Sequence, residues 1–594
     1  MKAASWKNIR QSLLVFIYIL MIYMAIRIEE SHAIEFLFTY QFILGEFLEI
    51  LFPFTVMSFI LLIGIFIIVK KQPLSMNPVN KIASAVFAFF MLMGHCFNSI
   101  GAFFVIFTYI LPAVLGTCYF GGFYLIFRYI LSFLENHISK HSSGVYRKHM
   151  FWGSWIVMFI CWLPYVIIRY PAGIEWDAYH QIQQAMGMET LTAHWPLGST
   201  FLMGMWVKAG FAIFHSYEIG VLLFVLFQMI VSISVFSYSL IFLKQLNVPP
   251  KWCMWVLVIY SIVPFYPAFF TSVVKDSLFS AIVLLDVILV ARKLLLQTKG
   301  GFVSISVTSI AMCLLRNNGI HIVLFWLVIM AVYSIIKKEL IMIPVIGAMV
   351  IAVMAYSGYS KILLPYWNIG RNTTQETLSI PFQQTARYLR DHPNDISADE
   401  KEIINDVLDV NTIGTVYNPV LSDPVKATFH GTKEELMPYF KVWLRLFFRH
   451  PITYADAALN TCYGFFYPDA SQRGDWIPGL YIGTISDSML ILDEPRILWP
   501  WQRYLTVYSR FWERCPFTFG MYNVPLQMWA ALWLIIYWFN RKSMANIILL
   551  MPTMVGILVC IASPTWWNNG FRYALPIICA NPMMFAMTGR AVQT

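Results

Sequence analysis

Long apolar runs recur along most of this chain, and a helix of roughly 20 such residues is what crosses about 30 Å of hydrocarbon. The runs predict an all-α polytopic membrane protein. Composition agrees, with 59% hydrophobic and 12% charged residues against roughly a quarter charged in ordinary soluble domains. A formal charge of +10 would suit nucleic acid if it were spread over one face. It is instead gathered into small Lys and Arg clusters at the ends of apolar runs, where it orients spans, so no nucleic-acid partner is expected. The first run, Leu13 to Ile26, follows Lys2, Lys7 and Arg10 without a small-residue cleavage site before Arg27 and Glu29, and reads as a retained span.

The basic clusters mark cytoplasmic ends: Lys70 and Lys71, Lys81, Lys140 to Lys148, Lys244 to Lys251, Arg292 and Lys293, Lys337 and Lys338, Arg541 and Lys542. Spans are expected near 12–27, 48–69, 82–98, 103–134, where the length leaves room for a break, and 150–168, which ends outside at Arg169. If 198–214 also crossed, every later basic cluster would fall outside. That run, which opens at Pro196 and carries Lys208, is therefore read as a re-entrant or interfacial helix on the outer face. Further spans follow near 219–243, 253–272, 277–292, 302–315, 320–336 and 340–356, and three last ones near 524–540, 545–562 and 571–588. The total is about fourteen. Four regions result: N-terminal transmembrane helices (1–148), a transmembrane core with an outer loop at 169–218 (149–356), an extracytoplasmic, mainly helical domain (357–520), and C-terminal transmembrane helices (521–594). The nine Cys show no ligand spacing, and Cys462 and Cys515, the two in the polar segment, are compatible with one disulfide.

Ionisable residues near the membrane are costly and mark function by default. The expected topology puts several on one face: Glu175, Asp177 and His180 in the outer loop, His194 before the re-entrant helix, Lys275 and Asp276 opening a span, Arg316 and Asn317 between two spans, and Arg572 with Tyr573 opening the last. A loop carboxylate is usually just solvated, and a cation at a span end usually anchors the interface. Convergence on one face favours chemistry instead. Asp177 can serve as general base on an acceptor hydroxyl, while Lys275, Arg316 and Arg572 can hold a departing phosphate, Arg by its fork and Lys as a point charge. The spacing of His180 and His194 to Asp177 matches no zinc pattern, and no cofactor is expected.

This ordered set resembles the GT-C superfamily of membrane glycosyltransferases, which includes protein mannosyltransferases and the aminoarabinose transferases of lipid A. The similarity runs from about 150 to 588: a first core span, an outer loop with Asp177, a juxtamembrane helix opening with His194-Trp195-Pro196-Leu197, an acidic residue in Pro264 to Asp276, and an ending, Phe571-Arg572-Tyr573-Ala574-Leu575-Pro576, similar to Arg-Tyr-Leu-Leu-Pro. Departures are Trp195 in place of the first Pro, a single Asp rather than an Asp-Glu pair, and four extra N-terminal spans. The chain looks most like a bacterial branch of such proteins, in the plasma membrane with the active site extracytoplasmic. The resemblance implies a polyprenyl-phosphate-linked sugar as donor and a hydroxyl of an envelope glycan, teichoic acid, lipid or protein as acceptor, transferred with inversion. Asp177 would be the base and Asp276 would position a substrate. Glu175, His180, His194, Lys275, Arg316, Asn317, Arg572 and Tyr573 would line the substrates, with Gln383, Gln384 and Tyr463 to Tyr467 in a capping domain. Rival readings are an oligosaccharide polymerase or ligase, which would lean on Arg and His, and a polysaccharide or lipid transporter, which would want internal symmetry and charges at the midplane.

Overall fold

The computed structural model describes residues 2–31, 34–35, 55–71, 73–74, 76–138, 149–338, 340–370, 374–473, 496–515 and 518–589. The basic cluster from Lys140 to Lys148 and the start of the run at 48–69 lie mostly outside these. Among the described residues there are helices, turns and four isolated β-bridges, and no strand. Eight helices are long and apolar enough to cross a membrane: Ser12–Ser31, Pro78–Ser99, Ile110–Glu135, Met150–Ile168, Leu197–Phe214, Tyr217–Gln245, Gly319–Lys337 and Leu340–Tyr366. Their outward faces carry large exposed apolar side chains such as Phe16, Ile160, Ile335 and Ile336. Apolar faces on this scale belong in lipid, not water. The chain is an all-α membrane protein.

Several expected runs are interrupted where the chemistry demands it. The run at 103–134 breaks at Thr108 and Tyr109, between a short 3-10 turn at Phe104–Phe107 and the helix Ile110–Ile138. The run at 253–272 is not one helix, correcting the expectation: Pro250–Ile262 ends at Val263, and Phe265–Phe270 starts afresh after Pro264. Proline has no amide hydrogen to continue the ladder, and the residue before it is pushed towards extended backbone; Val263 has φ −65° and ψ 119°. The run at 545–562 likewise divides at Leu550, before Pro552, into Met544–Leu549 and Met551–Ile561.

The chain forms two compact units. One comprises residues 1–140, 377–473 and 562–567. Its N-terminal helices close around Glu29, which pairs with the buried His95 at 2.8 Å and accepts hydrogen bonds from Tyr119 at 2.6 Å and Tyr467 at 2.8 Å. Residues 377–473 fold as a helical lobe around Phe382, Tyr388, Ile404, Tyr439, Leu446 and Tyr454. Gln383 and Gln384, expected in a capping domain, bond within this lobe: Gln383 donates to the Asn418 carbonyl at 2.7 Å and Gln384 to that of Tyr454 at 3.1 Å. Cys462 is a buried free thiol donating to the carbonyls of Ala458 and Leu459, and Cys515 is likewise a free thiol. The second unit, residues 141–376, 474–561 and 568–594, contains Glu175, Asp177, His180, His194, Lys275, Asp276, Arg316, Asn317, Arg572 and Tyr573.

Candidate functional site

The site begins with a short backbone pairing. Gly173 accepts from the amide of Val273 at 2.8 Å, and the amide of Glu175 donates to the Val273 carbonyl at 3.1 Å, making a parallel bridge between Ile174 and Val273. This bridge sets the start of one helix, Trp176–Met186, beside the start of another, Lys275–Leu296. Two side chains support it. Gln228 donates to the carbonyls of Phe270 and Ser272 at 3.0 and 2.8 Å, which holds the Val273 side of the pairing to the helix Tyr217–Gln245. Arg169, expected to mark a span end, is buried instead and donates to Ser272 Oγ at 2.9 Å. Gly173 lies against that guanidinium: an added Cβ would come within 2.1 Å of Nη2.

Asp177 and Asp276 thus sit in the first turns of adjacent helices, where exposed amides favour negative charge. Cations from three distant parts of the sequence meet them. Lys275 Nζ is 2.5 Å from Asp177 Oδ2, and Arg572 Nη2 is 2.7 Å from the same oxygen. Arg572 also pairs with Glu175 Oε1 through Nη1 and approaches Asp276 Oδ2 at 3.6 Å through Nε. Arg316 Nη1 lies 2.6 Å from Asp276 Oδ1. The ring of Tyr573 lies against both guanidiniums, 4.9 Å from Arg316 and 5.6 Å from Arg572, and Phe279 adds a second aromatic face to Arg316 at 5.7 Å. Three cations face three carboxylates. Their exposure is graded: the side chain of Asp177 keeps 19%, that of Glu175 7% and that of Asp276 none. Asp177 is the carboxylate an incoming molecule can reach.

The environment splits the two loop carboxylates. Burial would raise Asp177, but Lys275 and Arg572, with a hydrogen bond from Trp195, outweigh it and hold the group well below the usual carboxylate range. For Glu175 burial dominates. Arg572 and Lys275 lower it, Asp177 and Asp276 push it up, and the result is about 7.

The remaining predicted residues form the wall of this cluster. His180, three residues after Asp177 on its helix, pairs with Glu189 at 2.8 Å and stacks on Trp195 with centroids 5.4 Å apart and planes 3° from parallel. His194 meets the edge of Trp195 at 4.8 Å, and its carbonyl accepts from Asn317 Nδ2 at 3.2 Å. Sequence reading singled out Trp195 only as a departure from a motif. The structure makes it a partner of both Asp177 and His180; a tryptophan next to a motif histidine in a polar loop was the available signal. Among the described residues no group of His, Cys, Asp and Glu is arranged to hold a metal ion. No curated protein and no solved structure matches the chain. One family profile matches residues 186–594, a stretch that contains His194, Lys275, Asp276, Arg316, Asn317, Arg572 and Tyr573 and begins just after the loop bearing Glu175, Asp177 and His180. That stretch is more than half of the chain, which accordingly belongs to the family of unknown function DUF6020.

Proposed function

We propose that this protein is a glycosyltransferase of the GT-C type, with about fourteen spans, that moves a sugar from a polyprenyl phosphate to a hydroxyl of an envelope acceptor on the outer face of a bacterial plasma membrane. The observation that carries the reading is the meeting of Glu175, Asp177, Lys275, Asp276, Arg316 and Arg572, from four separate parts of the sequence, in one buried ion cluster. In a membrane protein such a cluster is expensive and calls for a function.

In this mechanism the acceptor hydroxyl enters beside Asp177. Asp177 takes its proton as the oxygen attacks the anomeric carbon, the bond from that carbon to the phosphate oxygen breaks on the opposite face, and polyprenyl phosphate leaves with the electron pair. At rest Asp177 is a weak base, being held by Lys275 and Arg572. When the donor phosphate recruits those cations, Asp177 regains basicity in the complex where it is needed. Asp276, sealed and flanked by Arg316 and Arg572, fixes the cations and does not meet substrate. The helix Leu197–Phe214 serves as the re-entrant juxtamembrane helix; Gln181 Nε2 ties it to the loop helix through Ser199 at 2.7 Å and Thr200 at 2.9 Å.

The test is transfer from a labelled polyprenyl-phosphate sugar in proteoliposomes, or restoration of an envelope modification in a deletion strain. Asp177→Asn should lose on the order of a hundredfold or more in rate, as general-base loss does, and Glu175→Gln should lose much less. A well-expressed Asp177→Asn protein with near-normal transfer would sink the mechanism.

A further inference from the structure

Every cation of the cluster is already engaged by a carboxylate of the same chain, so the site as it stands carries no surplus positive charge. A donor phosphodiester brings one negative charge into it, and an uncompensated buried charge is strongly disfavoured. Either a cation enters with the donor or one carboxylate gives up its charge. Asp276 has an ion contact at each oxygen, Arg316 on Oδ1 and Arg572 on Oδ2. Asp177 is held by two cations and by Trp195. Glu175 is different: Oε1 meets Arg572, while among the described residues the buried Oε2 has neither an ion contact nor a hydrogen-bond partner. The charged groups facing it are Arg572 before the last helix, Asp177 on its own helix, and Lys275 and Asp276 at the start of the neighbouring one. Two of these four are carboxylates, and with burial they already lift Glu175 to about 7. Of the two loop carboxylates it is the one that loses its charge more readily.

We propose, resting on the phosphate-donor reading above, that Glu175 is a stand-in for the donor phosphate: it occupies the Arg572 guanidinium in the empty site, and the arriving phosphate displaces it as a neutral acid. The only bond made is the O–H of the carboxyl, with the proton drawn from solvent. Charge is conserved, since one anion enters and one anion is neutralised. Donor binding is thereby coupled to proton uptake, and Nη1 of Arg572 keeps an anionic partner while the site waits.

The experiment uses the full-length protein in detergent, with farnesyl sulfate as probe, because its single charge does not titrate between pH 5 and 9, and farnesol as the neutral control. Affinity is read by thermal shift and proton uptake by an indicator dye in weakly buffered solution. At pH 8 the wild type should take up about one proton per farnesyl sulfate bound, and its affinity should fall about tenfold per pH unit above pH 7. Glu175→Gln should take up none, bind about tenfold more tightly than wild type at pH 8, and match it at pH 6. Binding by the wild type without proton uptake would overturn the stand-in role and leave the phosphate site intact. Farnesyl sulfate binding no better than farnesol at every pH would overturn the phosphate site itself and the stand-in role with it. The proton count on wild type needs no substitution, so the test stands even if Glu175→Gln fails to accumulate.

Discussion

Two carboxylates two residues apart in this chain have opposite electrostatic fates. Asp177 lies between two cations, whereas Glu175 shares one cation with Asp177 and Asp276 and is more deeply buried. Because Glu175 in the folded protein lies at about 7 instead of 4.5, the folded state binds the extra proton between those values. Its contribution to stability is full below pH 4.5 and is lost as pH rises through 7, a change on the order of 3 kcal/mol at most. Thermal unfolding in detergent should show wild type losing stability from pH 5 to 8 and Glu175→Gln losing distinctly less; parallel profiles would refute this. Arg316 tests a different property. It meets Asp276 through Nη1 and lies over the rings of Tyr573 and Phe279, so Arg316→Lys keeps the charge and loses the planar guanidinium that makes these contacts. Transfer activity should fall well below wild type with little change in expression, and equal activity would demote Arg316 to an interface anchor.

At the scale of elements, the site depends on helices that approach more closely than side chains normally allow. A Cβ on Gly198 would lie 2.4 Å from the Leu314 carbonyl oxygen, and one on Gly204 would lie 2.3 Å from Ala185 Cβ. The first contact is with backbone and cannot be relieved by a rotamer change. Gly198→Ala should therefore push the start of the helix Leu197–Phe214 away from Phe302–Leu315, whose end carries Arg316. The measurable result is a lower melting temperature together with weaker anion binding, whereas an added methyl at Gly153, which has nothing within 4 Å, should change neither. The pairing of Gly173 to Glu175 with Val273 works in the same way. Two backbone hydrogen bonds bring residues roughly a hundred positions apart into register, and Arg169 and Gln228 fill the space behind them.

For the molecule as a whole, the test is the sidedness of the membrane helices. The distribution of basic clusters predicts that cysteines placed at His180, His215 and Asn318 react with an impermeant reagent from outside, and those at Asn247 and Lys338 only from inside. The last two, like His215, end their helices in the left-handed region, with φ of 56°, 55° and 55° respectively, so each marks a true helix end. A cysteine at 215 labelled from inside would make Leu197–Phe214 a crossing helix, which its length and hydropathy alone permit, and would break the proposed GT-C arrangement.

Read alone, the sequence determined those properties that depend on neighbours along the chain. Apolar runs and their charged ends gave the helical class and the bounds of many helices, so that 150–168 and 302–315 agree with Met150–Ile168 and Phe302–Leu315. It also picked out the charged residues that have no inexpensive place near a membrane. Tertiary structure alone decided which of these meet. Nothing near Arg169 in sequence says that it will be buried beneath Ser272, and nothing near Arg572 says that three carboxylates will share it. The split between Glu175 and Asp177 was equally invisible, because it comes from cations supplied by segments about 100 and 400 positions away and from burial, which depend on distances in space and not on spacing in the chain.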